Sequence, residues 1–98
     1  MNDPLDFREK VVLVTGSSRG IGAELIKAFD QRNATCVVNY VGDPSGQNKA
    51  DAEGVAKGMK NPLVVECDVT RPEQVEAMMK QIQERHGGLD IQIGRAHV

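Results

Sequence analysis

The chain has 98 residues, 40% of them hydrophobic and 27% charged, with a formal net charge of -2. These values bound it to one domain at most, ordinary for a soluble globular chain, and supply no electropositive footprint for nucleic acid. No apolar run approaches the roughly 18 residues of a membrane span, and residues 1–10 lack the basic start and apolar middle of a secretory signal. A cytoplasmic location with neither a nucleic-acid nor a membrane partner is therefore expected.

Residues 11–15 form a continuous apolar run of strand length, as a parallel strand covered on both faces requires. Ile21, Leu25, Ala28 and Phe29 recur at helical spacing and predict one inward stripe. Residues 35–40, Thr-Cys-Val-Val-Asn-Tyr, are rich in strand-forming types, and residues 42–46 are dense in turn formers. A helix is expected over residues 47–60 with Ala52, Val55, Ala56 and Met59 inward, although Gly54 and Gly58 each cost about 1 kcal/mol against alanine. Residues 63–67 read as a third strand. Thr70-Arg71-Pro72-Glu73 has the spacing of a capping box. The helix behind it carries Val75, Met78, Met79 and Ile82 on one stripe, and Gly87-Gly88 ends it. Leu89-Asp90-Ile91 opens a fourth strand.

Cys36 and Cys67 fall in apolar runs of adjacent strands and read as buried, reduced thiols. There is no Cys-x-x-Cys, and neither His86 nor His97 has neighbours at ligand spacing, so no metal site is expected. Strand–helix alternation with right-handed crossovers predicts an α/β fold. It would be the N-terminal half of a doubly wound parallel-sheet Rossmann arrangement, a three-layer αβα sandwich truncated in the fourth strand.

The segment with the most chemical content is Thr15 to Gly22, Thr-Gly-Ser-Ser-Arg-Gly-Ile-Gly. A glycine turn between a buried strand and a helix brings backbone N–H groups and a positive dipole end to a dinucleotide pyrophosphate. Gly16 would let the chain turn out of the strand, Gly20 would admit the pyrophosphate, and Gly22 would let the helix pack close to the sheet. Ser17 and Ser18 would add hydroxyl donors. The plainer alternative is a Gly/Ser connection that binds nothing. A phosphate loop of the nucleotide-hydrolase type is excluded, because no Gly-Lys-Ser/Thr closes the turn.

The end of the second strand selects the dinucleotide. A carboxylate there would hold the ribose 2′-OH of NAD, but the position is taken by Tyr40, after Asn39. Arg19 projects from the glycine turn where a 2′-phosphate would lie, which favours NADP over NAD; the competing reading is a solvated surface arginine. NADP is the expected cofactor.

With Thr15 in front, the Gly-x-x-x-Gly-x-Gly spacing resembles the fingerprint of the short-chain dehydrogenase/reductase family. Cys67-Asp68-Val69-Thr70 agrees with it in order and spacing, and Val37-Val38-Asn39-Tyr40 is similar to the second strand of the β-ketoacyl-acyl-carrier-protein reductases within it. The resemblance covers residues of roughly 7 to 91. It implies cofactor contacts from Thr15, Gly16, Ser17, Ser18, Arg19, Gly20, Ile21, Gly22, Asn39 and Tyr40, with Asp68 accepting from the adenine amino group and Val69 flanking the ring. Asp68 capping the turn before the next helix stays open as an alternative. The resemblance further implies an NADP(H)-dependent oxidoreductase moving hydride between the nicotinamide and a carbonyl or alcohol, usually as a homo-tetramer or homo-dimer. A non-catalytic dinucleotide-binding or redox-sensing protein is the other reading.

The family's later Asn-Asn-Ala-Gly turn, serine and Tyr-x-x-x-Lys have no counterpart among these residues, and Tyr40 has no lysine four positions on, so no catalytic residue is assigned. Residues 92–98 look foreign to the family. Ile93 to Val98, Ile-Gly-Arg-Ala-His-Val, matches the translation of a string resembling a widely used sequencing adapter. The expected organisation is thus a partial dinucleotide-binding domain over residues 1–91 with a non-native tail over 92–98. As a stand-alone product it would leave the first strand at a bare apolar edge, an aggregation hazard.

Overall fold

A computed structural model describes residues 6–94. The elements run β1 (Val11–Val14), α1 (Gly20–Gln31), β2 (Thr35–Tyr40), α2 (Gln47–Ala56), β3 (Leu63–Glu66), α3 (Pro72–His86) and β4 (Ile91–Ile93). All strand pairings are parallel and the sheet order is β3-β2-β1-β4. The chain therefore builds outward from β1 to β3 and then crosses back through α3 to the other side of β1. Carboxyl ends of parallel strands at such a reversal are where α/β sheets hold ligands.

Burial on both faces explains why β1 reads as an unbroken apolar run. Val11 and Leu13 join Val37, Val65 and Cys67 against Val75, Met78 and Ile82 of α3. Val12 and Val14 face the other way with Cys36, Val38 and Tyr40, against Ile26 of α1 and Ala52 and Ala56 of α2. The result is three layers, helix–sheet–helix. Cys36 and Cys67 are both buried and free, on opposite faces of the sheet, and burial with the neighbouring Asp30 carboxylate pushes the Cys36 thiol up to about 12. Such a thiol carries essentially no thiolate at neutral pH.

Several local expectations are corrected. In α1 the inward residues are Ala23 and Ile26, with Leu25 and Phe29 half-buried, while Ala28 is exposed and Ile21 is 88% exposed. α2 ends at Ala56, ahead of Gly58, which takes φ +90. The capping box does not form. Proline favours an extended residue before it and sits well at the first helical position, so Arg71 is the N-cap and Thr70 falls outside the helix. Thr70 Oγ1 instead donates to Asp68 Oδ1 at 2.7 Å, and Gln74 Oε1 reaches back to accept from the Asp68 N–H at 2.8 Å. The other end of α3 behaves as read: Gly87 adopts φ +79 and its N–H closes onto the Gln83 carbonyl.

β1 does not lie at a bare edge, because β4 pairs along it: Val12 with Ile91, Leu13 with Gln92 and Val14 with Ile93. Gln92 and Ile93, expected in the tail, thus complete a strand, and Ile93 packs on the core face shared with α1 and α2. Arg95, Ala96, His97 and Val98 lie outside the described residues. Asp90 sets the β1–β4 register, since its Oδ2 accepts from the Val11 N–H at 2.8 Å while its own N–H donates to the Val11 carbonyl. Asp90→Ala is expected to destabilise the fold by about 1–3 kcal/mol, the cost of leaving a buried N–H without its acceptor. Urea unfolding would read this as a lower midpoint at unchanged slope; an unchanged midpoint would make the contact energetically idle.

Candidate dinucleotide site

The glycine turn leaves β1 at Thr15 and enters α1 at Gly20, at the carboxyl edge of the sheet beside β4. Thr15 closes the strand rather than facing outward: its N–H and Oγ1 both donate to the Ile93 carbonyl, at 3.0 and 3.4 Å. Gly16 and Gly20 take φ +68 and +64, a region L side chains avoid, and a Cβ at either would meet nothing within 4 Å. Their requirement is conformational. Gly22 differs. A Cβ there would stand 2.6 Å from the Gly16 carbonyl oxygen and 3.1 Å from Ser17 Cα. Its smallness brings α1 against the turn itself, not simply against the sheet.

Among the described residues no side chain caps α1. Arg19, the N-cap residue, has extended backbone, and the first-turn N–H groups of α1 carry the positive end of the helix dipole. Gly20 and Ile21 are exposed beside it, whereas Ser17 is fully buried and Ser18 nearly so. Ser17 Oγ accepts from the Asn39 N–H at 2.9 Å, which ties the buried side chain to β2.

Asn39 and Tyr40 are also buried, at 1% and 7% exposure. The Asn39 Oδ1 accepts from the Gly16 N–H at 2.8 Å, and its Nδ2 lies 3.2 to 3.4 Å from the carbonyls of Cys67, Val65 and Tyr40. The Tyr40 ring belongs to the core under α1 and α2; burial, then the Glu66 and Glu53 carboxylates, raise its phenol above the usual range. Neither side chain stands free at the sheet edge. Asp68 organises the turn after β3, accepting at Oδ1 from both the N–H and hydroxyl of Thr70, and these bonds hold its carboxyl below the usual range. Val69 is half-buried against the α3-side core.

Arg19 leans across to α2, where its Nε lies 3.6 Å from Asp51 Oδ2, with 63% of its side chain still exposed. Asp43 is the second carboxylate within its influence. Asp43 is itself fixed by the Ser45 hydroxyl and the Asn48 N–H, which keep it ionised below the ordinary range. Sequence reasoning missed Asp51 and Asp90; spacing along a chain gives no sign of partners brought in from another element.

The short chain dehydrogenase family model matches residues 10–97. This chain belongs to that family. Versicolorin reductase 1 of Dothistroma septosporum is 43% identical over 82 residues, 84% of this chain and 31% of that protein. A tetrahydroxynaphthalene reductase of Pestalotiopsis fici is 31% identical over 90 residues, 92% of this chain and 32% of that protein. Among solved structures, the 2-keto-3-deoxy-D-gluconate dehydrogenase of Streptococcus agalactiae superposes with a TM-score of 0.81 at 28% identity, over 96% of this chain and 35% of that one. The chain thus spans about a third of the length of these relatives. Members of this short-chain dehydrogenase family use nicotinamide dinucleotides.

Proposed function

We propose that this segment is the cofactor-binding part of an NADP(H)-dependent short-chain reductase acting on a carbonyl or alcohol. The observation that carries the reading is the uncapped N-terminus of α1 behind the left-handed Gly16 and Gly20, at the point where the sheet order reverses. The residues present suit a pyrophosphate: the turn carries no side chain at 16, 20 or 22, and α1 offers N–H groups and a dipole to an anion. When bound, the nicotinamide would supply the hydride.

The chain's own residues divide the work of binding. Ser18, Arg19, Gly20, Ile21 and Gly22 would meet the dinucleotide, and Thr15, Gly16, Ser17, Asn39 and Tyr40 would set the turn and the floor beneath it. Asp68 and Val69 would border the adenine. Arg19 would meet the 2′-phosphate of NADP(H). The catalytic groups would come from the rest of a full-length protein assembled as a homo-tetramer or homo-dimer.

Titrating the full-length protein with NADPH and NADH, followed by nucleotide fluorescence, tests the reading: NADPH should bind at least tenfold tighter, about 1.4 kcal/mol. Binding of neither would end it. Equal binding would leave a dinucleotide site without 2′-phosphate selectivity. Asp51 supplies a further check, since it competes for the Arg19 charge. Asp51→Asn should tighten NADPH by about two- to fivefold, the scale of an exposed ion pair, and leave NADH unchanged. A parallel gain for both would show that Asp51 acts on something other than the phosphate.

A further inference from the structure

We infer that Asn39 is the positioning residue of the dinucleotide turn, an inference that rests on the dinucleotide reading above. Its amide joins the two segments that would flank the cofactor. On one side Oδ1 accepts from the Gly16 N–H at 2.8 Å and its backbone N–H donates to Ser17 Oγ at 2.9 Å. On the other, Nδ2 faces the Val65 and Cys67 carbonyls at 3.3 and 3.2 Å, the residues that lead into Asp68. Gly16 lies beyond the last β1 residue, so its N–H has no ladder partner of the ordinary kind and takes this acceptor instead. Holding that N–H inward settles which way the following peptides of the turn can face.

The role requires an amide. One atom must accept from Gly16 while the other donates to carbonyl oxygens, with only 1% of the residue exposed. An ionised carboxylate would keep the first bond and set negative charge against the Val65, Cys67 and Tyr40 carbonyls. A neutral carboxyl would restore both, having one acceptor oxygen and one O–H donor. Burial among acceptors raises the pKa of such a group, which makes the substitution reversible with pH.

The test uses full-length protein carrying Asn39→Asp or Asn39→Leu, with NADP+, ADP and 2′-AMP as probes between about pH 8 and pH 6. Near pH 8, Asn39→Asp should weaken NADP+ and ADP, which carry a diphosphate, by about 10- to 100-fold, the scale of one or two lost buried hydrogen bonds. 2′-AMP, which has no diphosphate, should change less than about threefold. Toward pH 6 the Asn39→Asp variant should recover most of its NADP+ affinity relative to wild type, and Asn39→Leu should not. Tyr40, Glu66, Cys67 and Asp68 are the titratable neighbours on β2, β3 and the turn after it, and they are common to both proteins, so the ratio cancels their titration.

Equal loss on all three probes, or no recovery with acid, would reduce Asn39 to a general structural role and overturn the inference. If Asn39→Asp does not fold near pH 8, Asn39→Ser carries the probe comparison, and an unchanged NADP+ to 2′-AMP ratio overturns the inference in the same way. Wild-type protein that binds none of the probes would instead remove the dinucleotide reading beneath it.

Discussion

Gly22→Ala is expected to abolish dinucleotide binding in the full-length protein and to destabilise it by about 1–3 kcal/mol, the usual cost of overpacking. The added methyl would stand 2.6 Å from the Gly16 carbonyl oxygen and 3.1 Å from two further backbone atoms. None of these is the free end of a flexible side chain. Either the turn or the start of α1 must shift, and the same peptides define the phosphate cradle. Gly16→Ala provides the contrast. Its Cβ would collide with nothing, so the penalty is the left-handed backbone alone, about 1–2 kcal/mol. Thermal melts and NADPH titrations of both variants separate the two cases. Near-native NADPH affinity in Gly22→Ala would show that the cradle tolerates a wider helix entry than this packing implies.

That distinction between the glycines was not legible in the chain. A glycine pattern marks where the backbone is unusual or crowded, and only three dimensions say which. The same blindness displaced the inward face of α1. Gly22 faces the turn, and Ala23, Ile26 and Phe29 continue the inward face, yet a glycine contributes nothing to an apolar pattern. Ile21 set the frame in its place and proves to be almost wholly exposed. β2 was legible to the residue, since Thr35–Tyr40 is a run of strand formers bounded by a turn at each end. The resemblance of Val37-Val38-Asn39-Tyr40 to the family's second strand implies a cofactor contact from Asn39 but gives no sign of its hydrogen-bond partners, Gly16, Ser17, Tyr40, Val65 and Cys67, four of them on other segments of the chain.

The strand β4 teaches a related lesson. Gln92 and Ile93 look foreign beside the family pattern, but strand pairing asks only for an extended backbone and apolar residues at alternate positions. Ile91 and Ile93 meet that demand on the α1 and α2 face, with exposed Gln92 between them. Thr70 fails for the complementary reason. Its spacing to Glu73 is right for a cap, but Pro72 fixes where the helix begins and the Asp68 carboxylate offers the hydroxyl a charged acceptor nearby.

Arg19→Ala is expected to weaken NADPH by about 5- to 20-fold in the full-length protein while NADH changes by less than about threefold. A guanidinium–phosphate contact in a partly wet setting is worth about 1–4 kcal/mol. The 63% exposure of the Arg19 side chain places it in the lower part of that range, because solvent and salt screen such pairs. Asp51 and Asp43 lower it further, since NADPH must draw Arg19 away from carboxylates that already partly neutralise it. The difference between the two nucleotides should therefore shrink sharply at high salt in wild type and be nearly salt-independent in the variant. Equal losses for NADPH and NADH would move Arg19 from the 2′-phosphate to the pyrophosphate or to the turn's own stability. A wild-type preference for NADPH that survives both the variant and high salt would place the selectivity outside the glycine turn altogether.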